Sequence, residues 1–230
     1  MEITANRNVG RWIGLLLLVH LASGLIVPYV LLRPLNVTPG AFLETAAGMA
    51  LSIRLNVLVL LAGAAIPVGI AIAAWPLARQ DRHALGLALL VLAAVNLSLA
   101  IVENAQWLSM LSLSQAYADR SAADTGVFPS LAIVVRSAWK WAHYSHILIV
   151  VAWIFVLFFW LFRGALIPRA LSAAGLLTAM MQVGGITLPV FLGYRMPFPE
   201  LFGMPLGLVY LATSSWLMFK GFPRGRATAA

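Results

Sequence analysis

Residues 85–109 read Leu85-Gly-Leu-Ala-Leu-Leu-Val-Leu-Ala-Ala-Val-Asn96-Leu-Ser-Leu-Ala-Ile-Val-Glu103-Asn-Ala-Gln106-Trp107-Leu-Ser109. A helix of about 20 apolar residues crosses the hydrocarbon layer of a bilayer, and this run exceeds that length. Its single charge, Glu103, sits where a charge is expensive unless it has a task or a partner. Five further runs have the same character, at about 12–33, 52–77, 138–162, 167–192 and 202–220. The whole chain of 230 residues is 62% hydrophobic and 10% charged, with a mean hydropathy of +0.95. A soluble domain holds about 25% charged residues, so a water-soluble globule is excluded, as is a disordered chain. The expectation is an all-α fold, a polytopic transmembrane helical bundle of six spans in a single membrane domain over 1–230.

With six spans the connections are short. The longest, about 110–137, carries the polar stretch around Gln115, Asp119, Arg120 and Asp124, with flanks suited to a short interfacial helix. The segment Pro39–Leu51 reads as a helical lead-in lying along the membrane surface. The first run, Trp12 to Leu32, is longer than the roughly 7–15 residue core of a cleavable signal peptide and reads as a retained span. Pro28, Pro67, Pro189 and Pro205 fall inside spans, where a missing N–H kinks a helix.

Lys and Arg set the orientation. One side collects nine, Arg7, Arg11, Arg79, Arg82, Arg163, Arg169, Lys220, Arg224 and Arg226. The other collects six, Arg33, Arg54, Arg120, Arg136, Lys140 and Arg195. Both termini are therefore expected in the cytoplasm, in a multi-pass protein of the bacterial inner membrane. The net charge of +8 is spread singly and in pairs between apolar runs, so no nucleic-acid surface is read from it. Cysteine is absent, which excludes disulfides, thiolate metal sites and cysteine nucleophiles. Phosphate-cradling glycine loops, a nucleophile elbow and a His-Glu-x-x-His zinc helix are missing as well. Haem held by two histidines needs ligands on facing helices at one depth, which His20, His143 and His146 do not offer. Membrane lipids are the expected partners, and no sequence feature specifies a cofactor or an oligomer.

Ionisable groups inside spans are the functional candidates. At about 1.5 Å of rise per residue, Glu103 lies roughly 9 Å inside the outer end of its span. By the same measure His143 and His146 lie roughly 8 and 12 Å inside, and Gln182 roughly 15 Å. Helical spacing puts Asn96, Glu103 and Gln106 or Trp107 on one face, and Trp139, His143 and His146 on another, with Lys140 at its edge. Glu103, His143 and His146 are the catalytic candidates. Arg54, Asn56, Gln106, Trp107, Trp139, Lys140 and Gln182 are the ligand-binding candidates, lining a polar pocket open toward the outer leaflet.

Several chemistries fit this set. A carboxylate beside a histidine can exchange protons near neutrality, which suits an acid–base site for a small amphiphilic or lipid-like ligand. Two histidines and a carboxylate can also hold a metal with open positions, as in a metal-dependent membrane enzyme. The structural alternative is an ion pair of Glu103 with Arg54 or Lys140, in a structural or regulatory membrane partner. A small secondary transporter is the remaining alternative, although the two halves lack the repeat such proteins often carry. His20 is expected to bond a carbonyl or Asn96, and His83 to be solvated in its loop.

Four motifs carry a resemblance to a known family. They are Ser52-Ile-Arg54, Val102-Glu103-Asn-Ala105, Phe162-Arg163-Gly-Ala-Leu-Ile-Pro168-Arg169, and the ending Trp216-Leu-Met-Phe-Lys220-Gly221-Phe222. Together with Glu200 before the last span, they resemble the bacterial membrane proteins grouped as domain-of-unknown-function family 4386. The resemblance implies six helical spans and no particular activity. His143 and His146 stand outside the pattern that carries it.

Overall fold

The computed structural model describes residues 2–26, 30–32, 42–119, 126–195 and 202–223, with no side-chain description for 2–6, 80 and 81. Among the described residues seven α-helices follow in order: α1 Glu2–Ile26, a single turn α2 Phe42–Thr45, α3 Ala50–Asp81, α4 His83–Ala118, α5 Val127–Arg163, α6 Arg169–Ile186 and α7 Met204–Lys220. A 3-10 turn, Ala47–Met49, leads into α3, and a π-helical segment, Thr187–Phe191, continues α6. The described residues contain no strand. Helices are what an apolar medium demands, because every backbone N–H and C=O must find its partner within the segment.

Among the described residues five helical stretches are long and apolar enough to cross a membrane: Arg7–Ile26, Ala47–Arg79, His83–Ala118, Val127–Arg163 and Arg169–Phe191. The sixth expected span corresponds to α7, seventeen residues long. Large apolar side chains lie on the surface as well as in the core, and several polar ones are enclosed. Trp12, Leu58, Ile72, Met180 and Phe219 are exposed, whereas Asn56, Asn96, Glu103, Asn104, Ser114, Thr213 and Ser214 are buried.

The boundaries differ from the sequence reading in two places. In the expected connection 110–137, α4 runs on to Ala118 and α5 begins at Val127. The flanks are continuations of the long helices and make no separate interfacial helix. Nothing between Met110 and Ala118 breaks a helix, and Pro129 falls in the first turn of α5, where its missing N–H costs nothing. Pro205 likewise falls in the first turn of α7, after the N-cap Gly203, and kinks nothing. Pro67 lies within α3, which continues through it, and Pro189 lies in the π-helical segment. Pro28, Arg33, Pro39, Arg120, Asp124, Glu200, Arg224 and Arg226 lie outside the described residues, so readings placed on them have no counterpart here.

The chain divides into two compact units. The first comprises Met1–Leu21, Ala65–Val95 and Leu148–Ala230. Within it α7 runs antiparallel along α1. A Cβ on Gly10 would collide with the Phe222 backbone, one on Gly14 would meet Met218 N at 2.7 Å, and the Tyr210 hydroxyl meets His20 Nδ1 at 2.9 Å. Gly175 of α6 lies directly against the Phe158 ring of α5. Ile13, Leu17, Ile70, Leu89, Trp153, Leu157 and Leu217 fill the core. At one pole Arg82 donates from Nη2 to Arg163 O at 2.6 Å, closing the turn between α3 and α4 onto the end of α5.

The second unit comprises Ala22–Ala64 and Asn96–Ile147. Its core gathers Phe42, Ile53, Val57, Trp107, Met110, Leu111 and Ala132. Two polar ties set the register of α3 against α4. Asn96 Nδ2 donates to Ala64 O at 3.2 Å. Further along, Ala47 N–H donates to Ser114 Oγ, and Ser114 O–H donates to Leu43 O, each at 2.8 Å.

Candidate functional site

Asn96 and Glu103 are seven residues apart on α4, about two turns, so both point from one face. His143 and His146 are three apart on α5 and also share a face. Glu103 is twenty residues past His83 at the start of α4, and His143 is twenty before Arg163 at the end of α5. Each has therefore risen roughly 30 Å along its own helix, the thickness of the hydrocarbon layer. Because both helices continue beyond the ends expected at 109 and 138, this measure replaces depths counted from those ends.

The structure brings one carboxylate to two imidazoles. Glu103 Oε1 lies 2.8 Å from His143 Nδ1, and Oε2 lies 2.6 Å from His146 Nδ1. The second nitrogen of His146, Nε2, stands 3.0 Å from Asn96 Oδ1. Side-chain exposure falls from 33% at His143 to 11% at His146 and 6% at Glu103, so one imidazole opens outward and the rest is enclosed. Trp139 stacks on His143, with ring centres 5.2 Å apart and planes inclined by 17°. Trp107 meets Trp139 edge-on at 5.1 Å.

The remaining candidates fall into different places. Arg54 and Lys140 are exposed, and neither forms an ion pair with Glu103 among the described residues. Lys140 Nζ instead lies over the ring of its neighbour Trp141, 5.2 Å from the centre. The ion pair with Arg54 or Lys140 is thus replaced by the two histidines, which lie closer to the carboxylate along facing helices. Gln106 is half-buried on α4, and Gln182 is half-buried on α6 in the first unit. His20 Nδ1 bonds the Tyr210 hydroxyl, a partner beyond the expected carbonyl or Asn96. His83 is exposed with its ring 5.3 Å from that of Trp75.

Asn56 is fully buried, and so, nearly, is Asn104; neither amide has a hydrogen-bond partner among the described residues, nor has Trp139 Nε1. Asn56 is eight residues before Ala64, and Asn104 eight after Asn96, so the antiparallel register sets the two amides at one level. Asn104 and Asn96 were absent from the sequence-derived candidates for the site. Asn96 carried a usable signal, its seven-residue spacing from Glu103; Asn104 carried none beyond adjacency.

The metal reading meets an obstacle in the arrangement itself. A shared ion needs ligand lone pairs converging on one point, whereas each imidazole Nδ1 is engaged with its own carboxylate oxygen. Among the described residues no group of three His, Asp or Glu side chains is placed to hold a metal. The arrangement is suited to proton chemistry. A carboxylate fixes the orientation of two imidazoles, and an imidazole can accept or release a proton near neutral pH.

Apolar side chains facing outward and a polar network enclosed between long apolar helices define an integral membrane protein. The chain belongs to the family DUF4386, a domain of unknown function, whose model matches residues 12–221. No curated protein and no solved structure matches the chain.

Proposed function

We propose that the chain is a six-span protein of the bacterial inner membrane, with both termini cytoplasmic, that binds a small amphiphilic molecule and can transform it by acid–base chemistry at Glu103, His143 and His146. Support for the sixth span comes from α7, which lies antiparallel to the membrane-crossing α1 from Gly10 and Phe222 to His20 and Tyr210. The function rests on a single observation. A buried carboxylate orients two imidazoles, of which only His143 reaches an open surface. Trp107 and Trp139 beside it supply an apolar wall for a chain, while Arg54, Asn56, Gln106 and Lys140, all of the same unit, complete the proposed polar lining.

The test is thermal stability in lipid nanodiscs with four dodecyl-chain probes: dodecanoic acid, dodecanol, methyl dodecanoate and dodecyltrimethylammonium. At least one is expected to stabilise the wild-type protein and to lose that effect in Glu103→Gln. Equal stabilisation of both proteins, or none by any probe, overturns the reading.

A further inference from the structure

Hydrogen-bond polarity fixes where the protons of the cluster reside. Asn96 Nδ2 donates to Ala64 O, which orients the amide and leaves Oδ1 facing His146 Nε2. An amide oxygen only accepts, so Nε2 of His146 carries a hydrogen. If that ring were neutral and Glu103 ionised, Nδ1 would meet Oε2 lone pair to lone pair at 2.6 Å. A contact so short requires a proton between the two atoms. Glu103 and His146 therefore hold one proton jointly, as carboxylate with imidazolium or as carboxylic acid with imidazole, and the pair is neutral either way. Neutrality is what a low-dielectric interior tolerates.

At the other carboxylate oxygen, His143 donates from Nδ1 to Oε1 at 2.8 Å. Its Nε2 then presents a lone pair, and it has no hydrogen-bond partner among the described residues. Arg136 and Lys140 precede His143 by seven and three residues, which puts them on the same face of α5. Lys140 is exposed and Arg136 half-buried. Two cations thus share the helix face of the open acceptor, the Lys140 ammonium lying over Trp141.

We infer that the site takes an acidic amphiphile, a long-chain carboxylic acid, whose headgroup shares its proton with His143 Nε2 while Arg136 and Lys140 attract its oxygens. The inference rests on the ligand-binding role proposed above and names the ligand class. The bound state contains one proton between a ligand oxygen and Nε2. At alkaline pH the free acid and free imidazole hold none between them, so binding takes one up from water. Affinity then falls about tenfold for each pH unit on that side. Among the described residues, the titratable and charged groups bonded to His143 or near it along α5 are Glu103 of α4 and Arg136, Lys140, Tyr144 and His146 of α5. Arg54 of α3 is exposed and makes no ion pair with the cluster.

Only four histidines are present, so 15N-histidine NMR in nanodiscs resolves the proton inventory directly. Nε2 of His146 is expected to carry a proton, and His143 to carry one on Nδ1. Dodecanoic acid is expected to bind with the tenfold slope, and methyl dodecanoate not to bind. His143→Gln, which can still donate to Glu103, and the double variant Arg136→Gln with Lys140→Gln should each weaken the acid at least tenfold. A preserved His146 spectrum in these variants marks them as folded. An unprotonated Nε2 on His146, equal binding of the methyl ester, or stabilisation by dodecanol or the quaternary ammonium in place of the acid overturns the inference. Those last outcomes leave the amphiphile-binding role standing, whereas a failure of all four probes removes both.

Discussion

Glu103 and His146, forty-three residues apart in sequence, stand 2.6 Å from each other on adjacent long helices, and the distance makes them one hydrogen-bonded unit. Neither residue can be changed without leaving the other's polar atoms stranded in an apolar interior. Glu103→Leu removes the acceptor of both imidazoles and is expected to destabilise the protein by several kcal/mol, at about 1–3 kcal/mol for each stranded group. Glu103→Gln keeps one acceptor oxygen and should lose less. Thermal unfolding in nanodiscs ranks the two variants, and equal stability of Glu103→Leu and wild type would contradict the account.

Asn96 is the far anchor of the same network. Asn96→Leu takes away the acceptor of His146 Nε2 and the donor to Ala64 O, and should cost about 1–3 kcal/mol. In the 15N spectrum the His146 ring nitrogens should shift while those of His20 and His83 stay in place.

Asn56 and Asn104 behave in the opposite sense. Their amides are buried with no partner, and placing an amide in an apolar environment without a hydrogen bond costs about 1–3 kcal/mol in proteins. Asn104→Leu, close in shape, is expected to leave the melting temperature unchanged or raise it. A clear fall would mean that the amide is satisfied by a bound molecule or water.

Gly175 and Gly184 lie on one helix and give contrasting outcomes. A Cβ at Gly175 would enter the Phe158 ring, whereas Gly184 has open space around it. Gly175→Ala should destabilise by about 1–3 kcal/mol through overpacking. Gly184→Ala should be neutral or mildly stabilising, because it only removes backbone freedom. Chemical or thermal unfolding of the pair measures the difference.

The absence of cysteine makes orientation directly measurable, since a single introduced thiol is the only labelling site. A membrane-impermeant maleimide added to intact cells should label Gly126→Cys and leave Arg169→Cys unlabelled until the membrane is opened. The reverse pattern would invert the proposed topology.

Much of the helical layout was legible in the sequence because the apolar runs exceed anything a soluble fold requires. Their ends were less so. The stretch from Met110 to Ala118 is too polar for a span yet contains nothing to stop a helix, and hydropathy alone cannot separate those cases. Spacing along α4 and α5 placed Glu103, His143 and His146 on two faces at one height. It could not choose the carboxylate's partner, because Arg54 and Lys140 stood at similar heights and only the rotation of each helix about its axis decides. The His20–Tyr210 bond was beyond reach for a related reason, since it depends on the first and last helices lying side by side, and no local pattern records that. Asn104 was hidden by its neighbour: on a helix, adjacent residues point about 100° apart, so its burial says nothing that Glu103 foretells.

The close approach of Gly10 to Phe222 has an architectural consequence. Within the first unit Gly10 of α1 and the residues just after α7 are in contact, so a covalent clasp introduced there would fasten two helices that stand more than two hundred residues apart in sequence.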